Sequence, residues 1–101
     1  MRKVLLLTAY IAALLGAIGL SQAAGNASAG KAKSEPCALC HGERGEGVEA
    51  PPIAGKAESE LLQAMKDYKS GKRQDAAMKE VMSKLSDQDL ADLAAYYAAM
   101  K

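Results

Sequence analysis

Apolar and polar positions divide the chain into stretches of distinct character. Val4 to Leu20 is apolar apart from Thr8 and Tyr10 and carries no charge. Ala24 to Ser34 is rich in Ala and Lys, and Asn26 is placed to cap a short helix that Pro36 brings to an end. From Cys37 to Gly55 no period holds. Gly42, Gly45, Gly47, Pro51, Pro52 and Gly55 interrupt it too often for a regular element, so a loop is expected there. Between Ala57 and Ser70, Leu61, Leu62, Met65 and Tyr68 recur at helical spacing, and Gly71 suits the residue just past a helix end. Lys72 to Lys84 reads as a loop with room for a short helix that carries Met78, Val81 and Met82. The last helix has the strongest signal. Ser86 is a natural N-cap with Asp89 three residues on, Asp87, Asp89 and Asp92 suit the positive end of the helix dipole, and Leu90, Leu93, Ala94 and Tyr97 form an apolar stripe. No alternating pattern marks a strand, and no repeat or low-complexity linker is visible.

The first stretch reads as an export signal. Arg2 and Lys3 precede the apolar run, and Ser21-Gln22-Ala23 offers small residues where a signal peptidase reads, so cleavage is expected after Ala23. Ala27-Ser28-Ala29 is a second such site. The competing reading is a retained anchor, but 17 residues is the short limit for a membrane span. The division expected is therefore 1–23 as signal peptide and 24–101 as one domain, in an exported, periplasmic protein. Of thirteen basic residues, Arg2 and Lys3 would leave with the signal, so eleven would face twelve acidic ones. That balance lacks the basic excess of a nucleic-acid binder.

Seventy-eight residues with no Trp, no Phe and three Tyr make a poor hydrophobic core. Domains of this size need a staple. A bond between Cys37 and Cys40 would close too short a loop to constrain much of the unfolded chain. A bound group that fills the core would serve.

Cys37-Ala38-Leu39-Cys40-His41 supplies the means. C-x-x-C-H is the spacing of c-type haem attachment. Two thiols three residues apart can reach the vinyl groups on one porphyrin edge and form thioethers. His41, the only histidine, then offers its imidazole to the iron. A redox dithiol would want a βαβ context, and a zinc site would want a second Cys or His pair. The sequence provides neither, and a structural disulfide is the remaining alternative.

Beyond this motif the chain resembles the class I cytochromes c, in particular the short bacterial branch of monohaem carriers and of diheme proteins built from two such units. The likeness is carried by Gly30 in the first helix, Cys37 to Gly42, Pro51-Pro52-Ile53-Ala54-Gly55, Asp67 to Arg73, Leu85 to Leu90, and Leu93 to Tyr96. The one departure is Pro52, where the family often has a polar residue. The resemblance implies an all-α fold of three to five helices wrapped around one covalently bound haem c, with the terminal helices crossing near Gly30 and Tyr96. It implies that the backbone carbonyl of Pro51 accepts from His41, and that Tyr68 and Arg73 pack the haem edge and bind its propionates.

The family's iron takes a Met sulfur opposite the His. Met65 falls on an apolar stripe and Met100 at the C-terminus, which leaves Met78 and Met82. Relatives place the ligand eight residues before the Ser that caps the final helix, and Met78 stands so to Ser86. With both axial positions filled, the implied role is one-electron transfer rather than catalysis. Lys66, Lys69, Lys72 and Arg73 form a basic cluster, and Glu43, Glu46 and Glu49 an acidic one, which would orient the molecule toward redox partners such as a cytochrome bc complex, a terminal oxidase or a dehydrogenase. The alternative to a free, monomeric carrier is a haem subunit of a larger dehydrogenase that oxidises, for instance, sulfide or an alcohol. A membrane association would follow only from a retained N-terminal segment.

Overall fold

The computed structural model describes residues 25–100. The proposed signal segment lies outside them. Five helices follow in chain order: α1 Ala27–Lys33, α2 Glu35–His41, α3 Glu58–Ser70, α4 Ala76–Ser83 and α5 Asp87–Ala98. No strand occurs among the described residues, and none of their helices is long and apolar enough to cross a membrane. The fold is all-α, within the range of three to five helices that the resemblance implied.

Local chemistry explains most of the boundaries. The Asn26 side chain accepts from the Ala29 amide at 3.0 Å and starts α1. Ser86 and Asp89 form a complete capping box on α5: Asp89 N–H donates to Ser86 Oγ at 3.1 Å, and Ser86 N–H donates to Asp89 Oδ2 at 2.9 Å. Gly71 takes a φ of +89°, which a side chain would resist, and ends α3.

One expectation needs correction. Pro36 was expected to stop regular structure, with the Cys37–His41 motif in a loop. Ser34 instead ends α1 and opens α2, and Pro36 falls in the first turn of that new helix. A first-turn N–H has no acceptor within the helix in any case, so proline loses nothing there. The loop begins only at Gly42. Within Lys72 to Lys84, the short helix expected to carry Met78, Val81 and Met82 is present at Ala76–Ser83, and the Asp75 side chain caps it by accepting from Met78 N–H at 3.0 Å.

The helices pack around α5. It lies against α1 on one side and α3 on another, while α4 packs on α3. Leu61 of α3 joins Leu93, Ala94 and Tyr97 of α5 in the buried core. The α1–α5 crossing is backbone against backbone. A Cβ on Gly30 would overlap the Asp92 carbonyl and come within 2.8 Å of the Tyr96 Cβ. Beside this contact sits Asp92, only 3% exposed. Its carboxylate accepts from the Asn26 amide at 2.8 Å, Lys33 Nζ at 2.9 Å and Gln88 Nε2 at 2.9 Å. Lys33 also reaches Asp89 at 2.6 Å. A side chain read from sequence as a helix-dipole partner is thus a buried clamp between the first and last helices. Lys69 makes a second tie: its ammonium donates to the Leu85 carbonyl at 2.6 Å and fixes α3 to the entry of α5.

Two outcomes follow. Gly30→Ala should destabilise the folded protein by roughly 3 kcal/mol, the upper end of overpacking costs, because the obstacle is backbone and cannot rotate away. Chemical denaturation of the two proteins measures it. The Asn26 amide, and after it Lys33 and Gln88, hold the Asp92 carboxyl down at about 2. Its unfolded value is about 3.9. A depressed carboxyl contributes stability that is fully present above the unfolded value and is lost as pH falls through the folded one. Asp92→Asn should therefore lower the thermal midpoint at pH 7, and the gap from the unsubstituted protein should close between about pH 4 and pH 2.

Candidate haem site

The helices leave between them a cavity of roughly 900 Å³. Its lining comes from α2, the loop after it, and the three helices that follow. Cys37, Cys40 and His41 come from α2, Pro51 and Ile53 from the following loop, and Leu61, Met65 and Tyr68 from α3. Met78, Val81 and Met82 come from α4, and Leu93 and Tyr97 from α5. The volume is at the upper end of the range for sites that enclose an organic ligand. Most of these side chains are apolar.

The helical state of α2 matters to the chemistry. Positions three and four apart share a helix face. Cys37, Cys40 and His41 therefore project together, and all three line the cavity. The cysteines are not paired with each other: Cys37 is half-buried and Cys40 exposed. Burial pushes the Cys37 thiol up from its ordinary value. Among the described residues no three His, Cys, Asp or Glu side chains gather in a group that could hold a metal ion.

His41 is 8% exposed and fixed by its loop. Gly42, at φ +91°, turns the chain directly after it. The loop then folds back, so that Gly47 N–H donates to the His41 carbonyl at 2.7 Å and the Glu49 and Ala50 amides donate to Cys40 at 3.0 Å. This return brings the Pro51 carbonyl 2.7 Å from His41 Nδ1. A carbonyl can only accept, so Nδ1 carries the hydrogen and Nε2 keeps its lone pair for a metal. Proline's rigid φ holds that acceptor in place. Partners of this kind orient the imidazole of a metal-ligating histidine.

The remaining predicted residues are gathered at the same cavity. The Arg73 guanidinium stands 4.9 Å from the centroid of the Tyr68 ring, and its amide donates to the Asp67 carbonyl at 3.1 Å. Met78 is half-buried in the first turn of α4, and Met82, one turn further on, is 1% exposed. Met65, assigned to the core from its stripe, packs on the core and also faces the cavity. Tyr97 was not singled out for the site. Its place four residues after Leu93 marked it only as part of the apolar stripe, and nothing local distinguishes a stripe that faces protein from one that faces a ligand.

A flat, mostly apolar group held at one edge by two thiols and presented with one imidazole fits this enclosure, and the fit defines the class: a small all-α haem protein. Residues 27–101 match the cytochrome c family, and the chain belongs to that family. It is 48% identical over 89 residues to cytochrome c4 of Pseudomonas aeruginosa, a match over 86% of this chain and 44% of that protein. It is 39% identical over 83 residues to cytochrome c-554(548) of Halomonas halodenitrificans, covering 77% of this chain and 100% of that relative. Reduced recombinant cytochrome c4 from Pseudomonas stutzeri superposes with a TM-score of 0.73 at 37% identity, over 77% of this chain and 47% of that one. The chain thus spans about half the length of the cytochromes c4 that it matches and the full length of the Halomonas relative. Its cofactor is covalent haem c, and Cys37 and Cys40 have the spacing for one.

Cys37→Ala and Cys40→Ala should each reduce the yield of haem-loaded protein several-fold. Acid–acetone extraction of the unsubstituted protein should leave its colour on the polypeptide, while each variant should be left with a single thioether, read by intact mass.

Proposed function

We propose that this chain is a periplasmic one-electron carrier, with Cys37 and Cys40 as thioether anchors and His41 and Met78 as the axial ligands. The observation that carries the reading is the hydrogen bond from His41 to Pro51, which leaves Nε2 free in a cavity that Met78 also lines. When bound, haem supplies an iron that exchanges single electrons without forming a bond to substrate.

The chain's own residues set the conditions. His41 is locked in one tautomer. Met78 sits where the Asp75 cap fixes the first turn of α4. Thioether ligation favours the ferrous state and so raises the potential. Tyr68 and Arg73 form a stacked pair beside the cavity and are suited to the haem edge and its carboxylates. Residues 1–23 direct export and are removed.

Redox partners are met through the surface around the attachment motif. Leu39 and Val48 are 77% and 71% exposed, and exposed Glu43, Glu46 and Glu49 accompany them. Glu46 also caps the turn, accepting from the Arg44 amide at 2.8 Å. On the basic side, Lys69 is occupied at Leu85, which leaves Lys66, Lys72 and Arg73 as the exposed charges. A carrier of this kind is a free monomer, and elution at the mass of one chain from natively prepared periplasm is the expected result. Co-elution with a dehydrogenase would make it a subunit instead.

Met78→Ala should abolish the far-red sulfur–iron charge-transfer band, admit carbon monoxide to the reduced protein and lower the midpoint potential, within the roughly 0.8 V that axial ligands command. Met82→Ala should retain the band and exclude carbon monoxide. The opposite pattern would move the ligand to Met82.

A further inference from the structure

Among the polar groups that line the cavity, one is both buried and without a partner. Tyr97 is 3% exposed, and its hydroxyl is the one buried side-chain oxygen or nitrogen among the described residues without a hydrogen-bond partner. The ring is packed on both sides. Its edge meets Tyr96 at a centroid distance of 5.0 Å. A Cβ on Gly45 would lie 2.9 Å from its Cδ1, and its backbone carbonyl accepts from Gly55 N–H at 2.9 Å. A phenylalanine would fill the same space without burying an unsatisfied oxygen, so the hydroxyl calls for a partner.

Cys37 packs against this part of the core and lines the same cavity. Burial, and after it the Cys37 sulfur, pushes the Tyr97 phenol up, so the hydroxyl keeps its hydrogen at any physiological pH. As a free thiol, Cys37 carries a hydrogen of its own. Once its sulfur is a thioether that hydrogen is gone, and the sulfur can only accept.

We propose that Tyr97 is a positioning residue for the haem: its hydroxyl donates a hydrogen bond to the thioether sulfur of Cys37, pins that attachment edge and draws electron density from the macrocycle. Electron withdrawal disfavours the ferric state, so the bond raises the potential. Ser34 is the competing acceptor beside the phenol. Its own hydroxyl hydrogen is given to the Lys31 carbonyl at 2.8 Å.

The test uses the haem-loaded protein with Tyr97→Phe and Ser34→Ala, after intact mass has verified two thioethers in each. Tyr97→Phe should shift the reduction equilibrium about threefold toward the ferric form, which is about 30 mV at 59 mV per decade for one electron. It should also lower the thermal midpoint, because a used hydroxyl is lost. Ser34→Ala should do neither. In the reduced unsubstituted protein, proton NMR should show a slowly exchanging Tyr97 hydroxyl with a cross-relaxation peak to the Cys37 β-protons. A Tyr97→Phe variant that is more heat-stable at unchanged potential would overturn the proposal, as would a Ser34→Ala variant that reproduces the shift. Absence of the hydroxyl–Cys37 cross-peak would do the same without any substitution. None of these results would disturb haem attachment itself, which the mass measurement reads separately.

Discussion

The backbones of α1 and α5 touch where Gly30 lies against the Asp92 carbonyl, and the rest of the molecule is arranged around that contact. The close approach needs a residue without a side chain. It places the Asp92 carboxylate within reach of Asn26 and Lys33, which close the crossing with charge-assisted hydrogen bonds. With α1 fixed, α2 must begin at Ser34, and its cysteines and histidine reach the cavity at a set height. The position of α5 also decides which of its side chains meet α3 and which meet the cavity. Loss of this crossing would therefore remove the frame of the site without touching any residue in it.

The second constraint is the smallness of the dry core. The largest side chains that are wholly buried are Met82, Leu90 and Leu93, and two of these three also line the cavity. Side chains that would be core in an ordinary domain here have one face on protein and one on the space that the cofactor takes. Haem is in this sense the missing interior of the chain, and its binding energy is also folding energy, as for other small metal-dependent domains. Five segments contribute to the enclosure, so no single helix makes a site.

How much of this was legible depends on whether the signal is local. Ser86 and Asp89 announce a helix start because both halves of the capping box are fixed by three-residue spacing. Cys37, Cys40 and His41 announce attachment because the chemistry demands adjacency. Gly71 needs only its own φ. Pro36 was misread because proline both ends helices and begins them, and only tertiary packing decides between the two. Asp92 was misread for a related reason: an acidic residue in an early helix turn looks like a dipole partner until a second helix covers it. Tyr97 carried no signal of its place, since an aromatic in an apolar stripe gives no sign of whether it faces protein or a cavity. The terminal-helix crossing was inferred from likeness to a family, not from Gly30 alone.

The two walls of the cavity are unequally braced. His41 stands on α2 and is held through Pro51 by a loop that is itself stitched back by three backbone hydrogen bonds. Met78 stands on α4, which packs on α3, has only minor contact with α5 and begins at an exposed aspartate cap. Segments with few packed neighbours open at lower free energy than those at the centre. With haem in the cavity and the proposed ligands in place, a change of charge at the iron would meet a stiff side at His41 and a compliant side at Met78. Movement of α4 would leave the crossing of the terminal helices intact.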